Sequence, residues 1–135
     1  MNAIVNQGQE RAAWGWQAIE EAVRDLGGKK AENYGLLVKK LPSWLQVSGL
    51  GQTMAFLFSK SNNKKEAKQL FDQLSKRIGM LIGTKNRAEG MKLITELSPS
   101  DYRRVTYEIM RSAELLKRFA DGRIDTESAE LSEGR

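Results

Sequence analysis

Neither cysteine nor histidine occurs in this chain. Without cysteine there is no disulfide framework and no thiolate chemistry, and a reducing cytoplasm is the expected compartment. Without histidine the commonest metal ligand and the commonest general base are gone. No stretch approaches the roughly 20 apolar residues that a membrane span needs. The opening "MNAIVNQGQERAAW" has no basic region followed by an apolar run, so no secretory signal is read there. Period-2 strand patterning is missing, as are GxxxxGK[ST] and GxSxG motifs.

What remains is 135 residues, 40% of them hydrophobic, which fits one compact domain with an ordinary core. Charge is unevenly spread. Residues 124–135, "IDTESAELSEGR", hold four acids against Arg135 alone, a net of −3. That leaves 21 basic and 13 acidic residues, or +8, in residues 1–123. A folded basic domain over 1–123 that meets a polyanion, followed by a disordered acidic tail over 124–135, fits this split. The alternative is that the charge only keeps the domain solvated.

The periodicity predicts an all-α fold: a single compact bundle of about five to six helices packed around a central apolar helix. A first helix is expected from about Asn2 to the Gly27-Gly28 pair, with Val5, Ala12, Trp16, Ile19, Val23 and Leu26 as its apolar line. A second is expected near Ala31–Lys40, which Pro42 ends or succeeds with a new turn. Asn63 and Asn86, each with a Glu three residues on, resemble capping boxes that open two more helices. Ser98, Pro99 and Asp101 fit the N-cap, N1 and N3 positions of a last long helix to about Asp121. The uncharged run "GLGQTMAFLFS" before Lys60 is apolar over well over half of a helix surface. It is read as the core, with Met54, Phe56 and Leu57 central. "GLGQT" lacks the third glycine and the preceding strand of a dinucleotide site.

No catalytic constellation is visible. Glu20-Glu21 and the Asp121/Asp125 pair read as solvated charge, and no nucleophile, base and orienter share a place. No cofactor and no metal are expected. The last helix says more. Its buried line is Val105, Ile109, Ser112, Leu116 and Phe119, with Tyr102 and Ala113 alongside. Arg104, Arg111 and Arg118 are spaced seven apart, so each drifts only about 20° from the one before. Successive members lie about 10.5 Å apart along the axis, a spacing that suits every second phosphate of a nucleic-acid strand. The alternative is a solvated face laced by Glu108–Arg111 and Glu114–Arg118 pairs. Lys60, Lys64 and Lys65 around the "SNN" turn form a further basic cluster, and Lys39-Lys40 another. Trp14, opposite Trp16 on its helix, and the Tyr107–Met110 pair point away from the expected core and suit protein contacts.

At this point "QERAAW", "NYGLLVKKLPSWLQVSGLGQTMAFLFSK" and "SDYRRVTYEIMRSAELLKRFADG" resemble, over most of residues 9–122, the small subunit of type III-B (Cmr) CRISPR RNA-guided effector complexes. The resemblance implies a compact, all-helical, non-catalytic protein in antiviral defence. Several copies would line up beside the backbone subunits along the guide–target duplex, with cleavage and signalling left to other subunits. Its partners would be the other Cmr subunits, further copies of itself, and guide and target RNA, with no membrane. Lys60, Lys117 and Arg118 carry over as RNA-facing positions, whereas Arg104 and Arg111 rest on helix geometry alone. A small helix-turn-helix DNA-binding protein and a pure protein adaptor remain as alternatives.

Overall fold

A computed structural model describes residues 6–83 and 90–126. Five helices account for most of them: α1 Gln7–Leu26, α2 Gly28–Lys60, α3 Lys65–Ile82, α4 Gly90–Glu96 and α5 Pro99–Arg123. The architecture is all-α, with no strand among the described residues. No helix among them is long and apolar enough to cross a membrane. The Asn86 start signal and residues 127–135 of the tail lie outside the described residues.

Local chemistry explains most of the boundaries. The Asn6 side chain caps α1 by accepting from the Gln9 N–H at 2.8 Å, and the helix stops at Gly27. Ser98 caps α5 in the same way, its Oγ accepting from the Asp101 N–H at 3.1 Å with Pro99 in the first turn. Asn63 makes no such cap: α3 follows Lys64, whose side chain forms no capping bond, and Glu66 is buried.

The second helix differs most from expectation. Pro42 sits inside it, forfeiting one backbone bond, and the chain breaks at Gly49 instead. There φ is 84° and ψ 171°, a conformation that a side chain would strain. The break splits α2 into two arms, and the second folds back toward the first, so that Leu37 and Lys40 share a groove with Phe56 and Lys60. The Gly51 N–H, left free at the start of the second arm, donates to Tyr102 Oη of α5 at 2.9 Å.

Leu41, Leu45, Leu50, Met54 and Leu57 of α2 meet Leu70, Leu74 and Ile78 of α3 and Val105, Ile109 and Leu116 of α5 in one core. The stretch Gly49–Lys60 therefore buries one face, Leu50, Thr53, Met54 and Leu57. Phe56 and Phe58 lie on the outer side, and Phe56, at 41% exposure, is corrected from its expected central position. Spacing accounts for this: 50, 53, 54 and 57 make one helical stripe, and 56 falls beyond it.

Helix α1 is turned relative to its expected line. Trp14 is 6% exposed and belongs to the core, whereas Trp16 is 51% exposed. Two positions on a helix place side chains about 200° apart, so only one of the two indoles can face inward. Gly15 and Arg11 select Trp14's side, because Gly15 lies against the Phe119 ring and Arg11 reaches Glu108. Trp16 is left at the rim, edge-on to Phe119 with ring centres 5.6 Å apart.

The domain also runs past Arg123. Ile124 is buried, and a Cβ at Gly35 would lie 2.7 Å from the Thr126 methyl and 3.0 Å from an Ile124 methyl. Ile124 and Thr126 thus dock on α2, which corrects a tail beginning at 124.

Candidate nucleic-acid interface

The charged side chains divide into those that build the fold and those that face outward. Arg77 of α3 is fully buried. It donates to Glu10 Oε1 (2.8 Å), Glu108 Oε2 (3.3 Å) and Ser112 Oγ (3.2 Å). Glu108 in turn accepts two bonds from Arg11, at 2.6 and 2.8 Å. The Arg11 hydrogen bonds hold the Glu108 carboxyl below the usual carboxylate range, with burial opposing and Arg77 assisting. The same contact raises the Arg11 guanidinium. Glu108, which the solvated-face alternative paired with Arg111, instead locks α1, α3 and α5 together. A second buried pair, Tyr34 Oη donating to Gln73 Oε1, is anchored by Gln73 Nε2 donating to the Ala18 carbonyl, and burial pushes the phenol well up.

On α5 the three arginines of the seven-residue stripe are all exposed. Arg104 donates to the Leu81 carbonyl (3.1 Å) and to Asp101 (3.4 Å). Arg111 donates to Tyr107 Oη (3.0 Å) and lies 5.6 Å from that ring's centre. Arg118 and Arg111 meet Arg11 of α1 around a shallow basin that Glu114 and Leu115 complete. Lys117 is half-buried. Tyr107 is 62% exposed, as its position implies, whereas Met110 packs against the core and is corrected as a free surface anchor.

The lysines sort differently from their order in the chain. Lys39 lines a hollow with Asp121, Arg123 and Asp125, at the end of α5. Its neighbour Lys40 points elsewhere, into the groove between the arms of α2. There Lys60 and Lys64 join it, with Leu36, Leu37, Phe56, Ala67, Asn33 and the buried Glu66 completing the lining. Lys60 Nζ stands 5.8 Å from the centre of the Phe56 ring. Lys65 is exposed at the first position of α3. Two clusters that sequence kept apart thus converge, and the Gly49 break is the cause. Within each arm the spacing was legible: Lys40, Trp44 and Ser48 before the break, and Gln52, Phe56 and Lys60 after it, recur every four residues and so share one side of their arm.

Among the described residues no group of three or more Asp and Glu is placed to hold a metal ion.

Comparison with known proteins agrees with this architecture. A family model described as CRISPR-associated protein (Cas_Cmr5) matches residues 7–123, from the start of α1 to the end of α5. A relative from Thermus thermophilus, named CRISPR system Cmr subunit Cmr5, is 27% identical over 112 residues, spanning 83% of this chain and 93% of that one. The crystal structure of a CRISPR-associated Cmr5 family protein, also from Thermus thermophilus, superposes with a TM-score of 0.73 at 27% identity. That match covers 90% of this chain and all of the other.

Proposed function

The chain belongs to the CRISPR-associated Cmr5 family and is a small subunit of the Cmr type, and from that premise we propose that it works as a non-catalytic, RNA-contacting element of a cytoplasmic Cmr (type III-B) effector complex. In this reading it sits beside backbone subunits and further copies of itself, along the path of guide and target RNA.

The observation that carries the RNA contact is the convergence of Lys40, Lys60 and Lys64 on one groove. Three flexible ammonium groups from separate segments make a site that attracts phosphate as point charges, without reading sequence. The basin of Arg11, Arg111 and Arg118 is a second phosphate-facing surface. Of its members Arg118 is the better candidate, since Arg111 is engaged by Tyr107 and Arg11 by Glu108. Arg104, tied to Leu81 and Asp101, is ranked below both surfaces. A non-catalytic role is supported by a sequence without histidine or cysteine and by the use of the buried Arg77–Glu108 cluster in packing.

The test uses assembled complexes that incorporate the chain fully. Changing Lys40, Lys60 and Lys64 to glutamine should leave melting unchanged and lower target-RNA affinity. The log–log salt slope should shrink by roughly one unit per lost phosphate contact. An unchanged slope would assign the groove to protein or solvent.

A further inference from the structure

The groove between the arms of α2 has two chemically different ends, and Phe56 is a wall of both. The open end carries Lys40, Lys60 and Lys64. Toward the Gly49 break, on the other side of Phe56, lies a pocket of about 280 Å³ lined by Trp44, Ser48, Gln52, Thr53 and Phe56. Among the described residues no charged side chain lines this end. Trp44 and Phe56 meet edge-on, ring centres 5.1 Å apart and planes at 62°, so they form an aromatic corner. The Thr53 hydroxyl is buried and has no hydrogen-bond partner among the described residues.

We propose that the inner face of the α2 hairpin binds single-stranded RNA, with one unpaired base entering the Trp44–Phe56 corner while its phosphates lie at Lys40, Lys60 and Lys64. The inference rests on the reading that the lysine end meets RNA, and adds what the uncharged end does. Its size suits a single flat ring system, being below the range of drug-sized sites. A nucleobase is uncharged, stacks on an aromatic face and presents donors and acceptors at its edge. The Gln52 amide offers both a donor and an acceptor, and the Ser48 hydroxyl does the same. An aliphatic or phenyl anchor from a protein would fill the corner but leave these polar groups, and Thr53, unpaired. Among the described residues that line the lysine end Glu66 is the one carboxylate, so three positive charges outweigh it there. Lys60, already poised over Phe56, would neutralise a phosphate next to the stacked base.

The experiment takes the full chain and a short oligouridylate carrying one photoreactive 5-iodouracil, irradiates the mixture, and maps the adducts by mass spectrometry. Adducts on Trp44 or Phe56 are expected. Replacing the reactive nucleotide by an abasic one, with every phosphate kept, should weaken binding about 5-fold or more. Phe56→Leu should reproduce that loss while the protein melts normally, since Phe56 is largely outside the core. Adducts only on Trp16 or Tyr107, or full affinity for the abasic strand, would overturn the base site. Such a result would leave the RNA contact standing if the lysine variants still reduced the salt slope. A neighbouring subunit's peptide cross-linked at Phe56 in the assembled complex, in place of RNA, would overturn it in favour of a protein anchor.

Discussion

Replacing Glu108 by glutamine removes one negative charge from the contact of α1, α3 and α5 and changes little in size. Glu108 accepts three guanidinium N–H bonds, two from Arg11 at 2.6 and 2.8 Å and one from Arg77 at 3.3 Å. A glutamine turns one of those acceptor positions into a donor and leaves Arg77, with no exposed surface, dependent on Glu10 alone for charge. Breaking a buried pair from one side costs about 3–5 kcal/mol. For a domain of this size that lowers Tm by about 10–20 °C. Arg77→Met should cost less, because Glu108 keeps both bonds to Arg11. The pH dependence carries a sign. Glu108 titrates below the usual carboxylate range when folded, so its contribution is complete above that range and is lost as pH falls through its lowered pKa. The gap between the native chain and Glu108→Gln should therefore narrow in acid. Urea melts at neutral and acidic pH measure all of this. A loss below about 1 kcal/mol at neutral pH, or a larger loss from Arg77→Met, would refute Glu108 as the hub.

Two further outcomes follow from corrected positions. Truncation after Arg123 should lower stability, because it removes Ile124 and Thr126 from Gly35, whereas truncation after Thr126 should leave thermal melting nearly unchanged. Trp14→Ala should cost about 3–5 kcal/mol as a core cavity. By contrast Trp16→Ala should spare the fold and weaken incorporation beside neighbouring subunits; equal melting of the two variants would reverse the assignment of the two indoles.

Local signals carried much of the fold, and long-range ones carried little. The Ser98 cap, the stop at Gly27 and the α5 line through Val105, Ile109, Ser112 and Leu116 depend on near neighbours, and the structure places them as the sequence implies. The path of α2 was hidden because proline is the stronger sequence signal for a break, yet Pro42 is absorbed and Gly49 takes the positive φ. A glycine before "LGQT" is compatible with close packing or with a turn, and only tertiary contact decides between them. The rotation of α1 was equally hidden, since it depends on Arg11 reaching Glu108, 97 residues away. Basic residues were legible as clusters but not as a site. Lys39 and Lys40 are neighbours in sequence and face different hollows, whereas Lys40 and Lys60 share one across the break.

The most direct test of the RNA-contacting role is a lysine footprint of the native assembled complex. The complex is acetylated briefly with its RNA in place and again after nuclease digestion, and each lysine is quantified by mass spectrometry. The account predicts that Lys40, Lys60 and Lys64 are protected while RNA is present and become reactive once it is digested. Lys39, in the other hollow, should react alike in both states. Equal reactivity of Lys40, Lys60 and Lys64 before and after digestion would contradict the account.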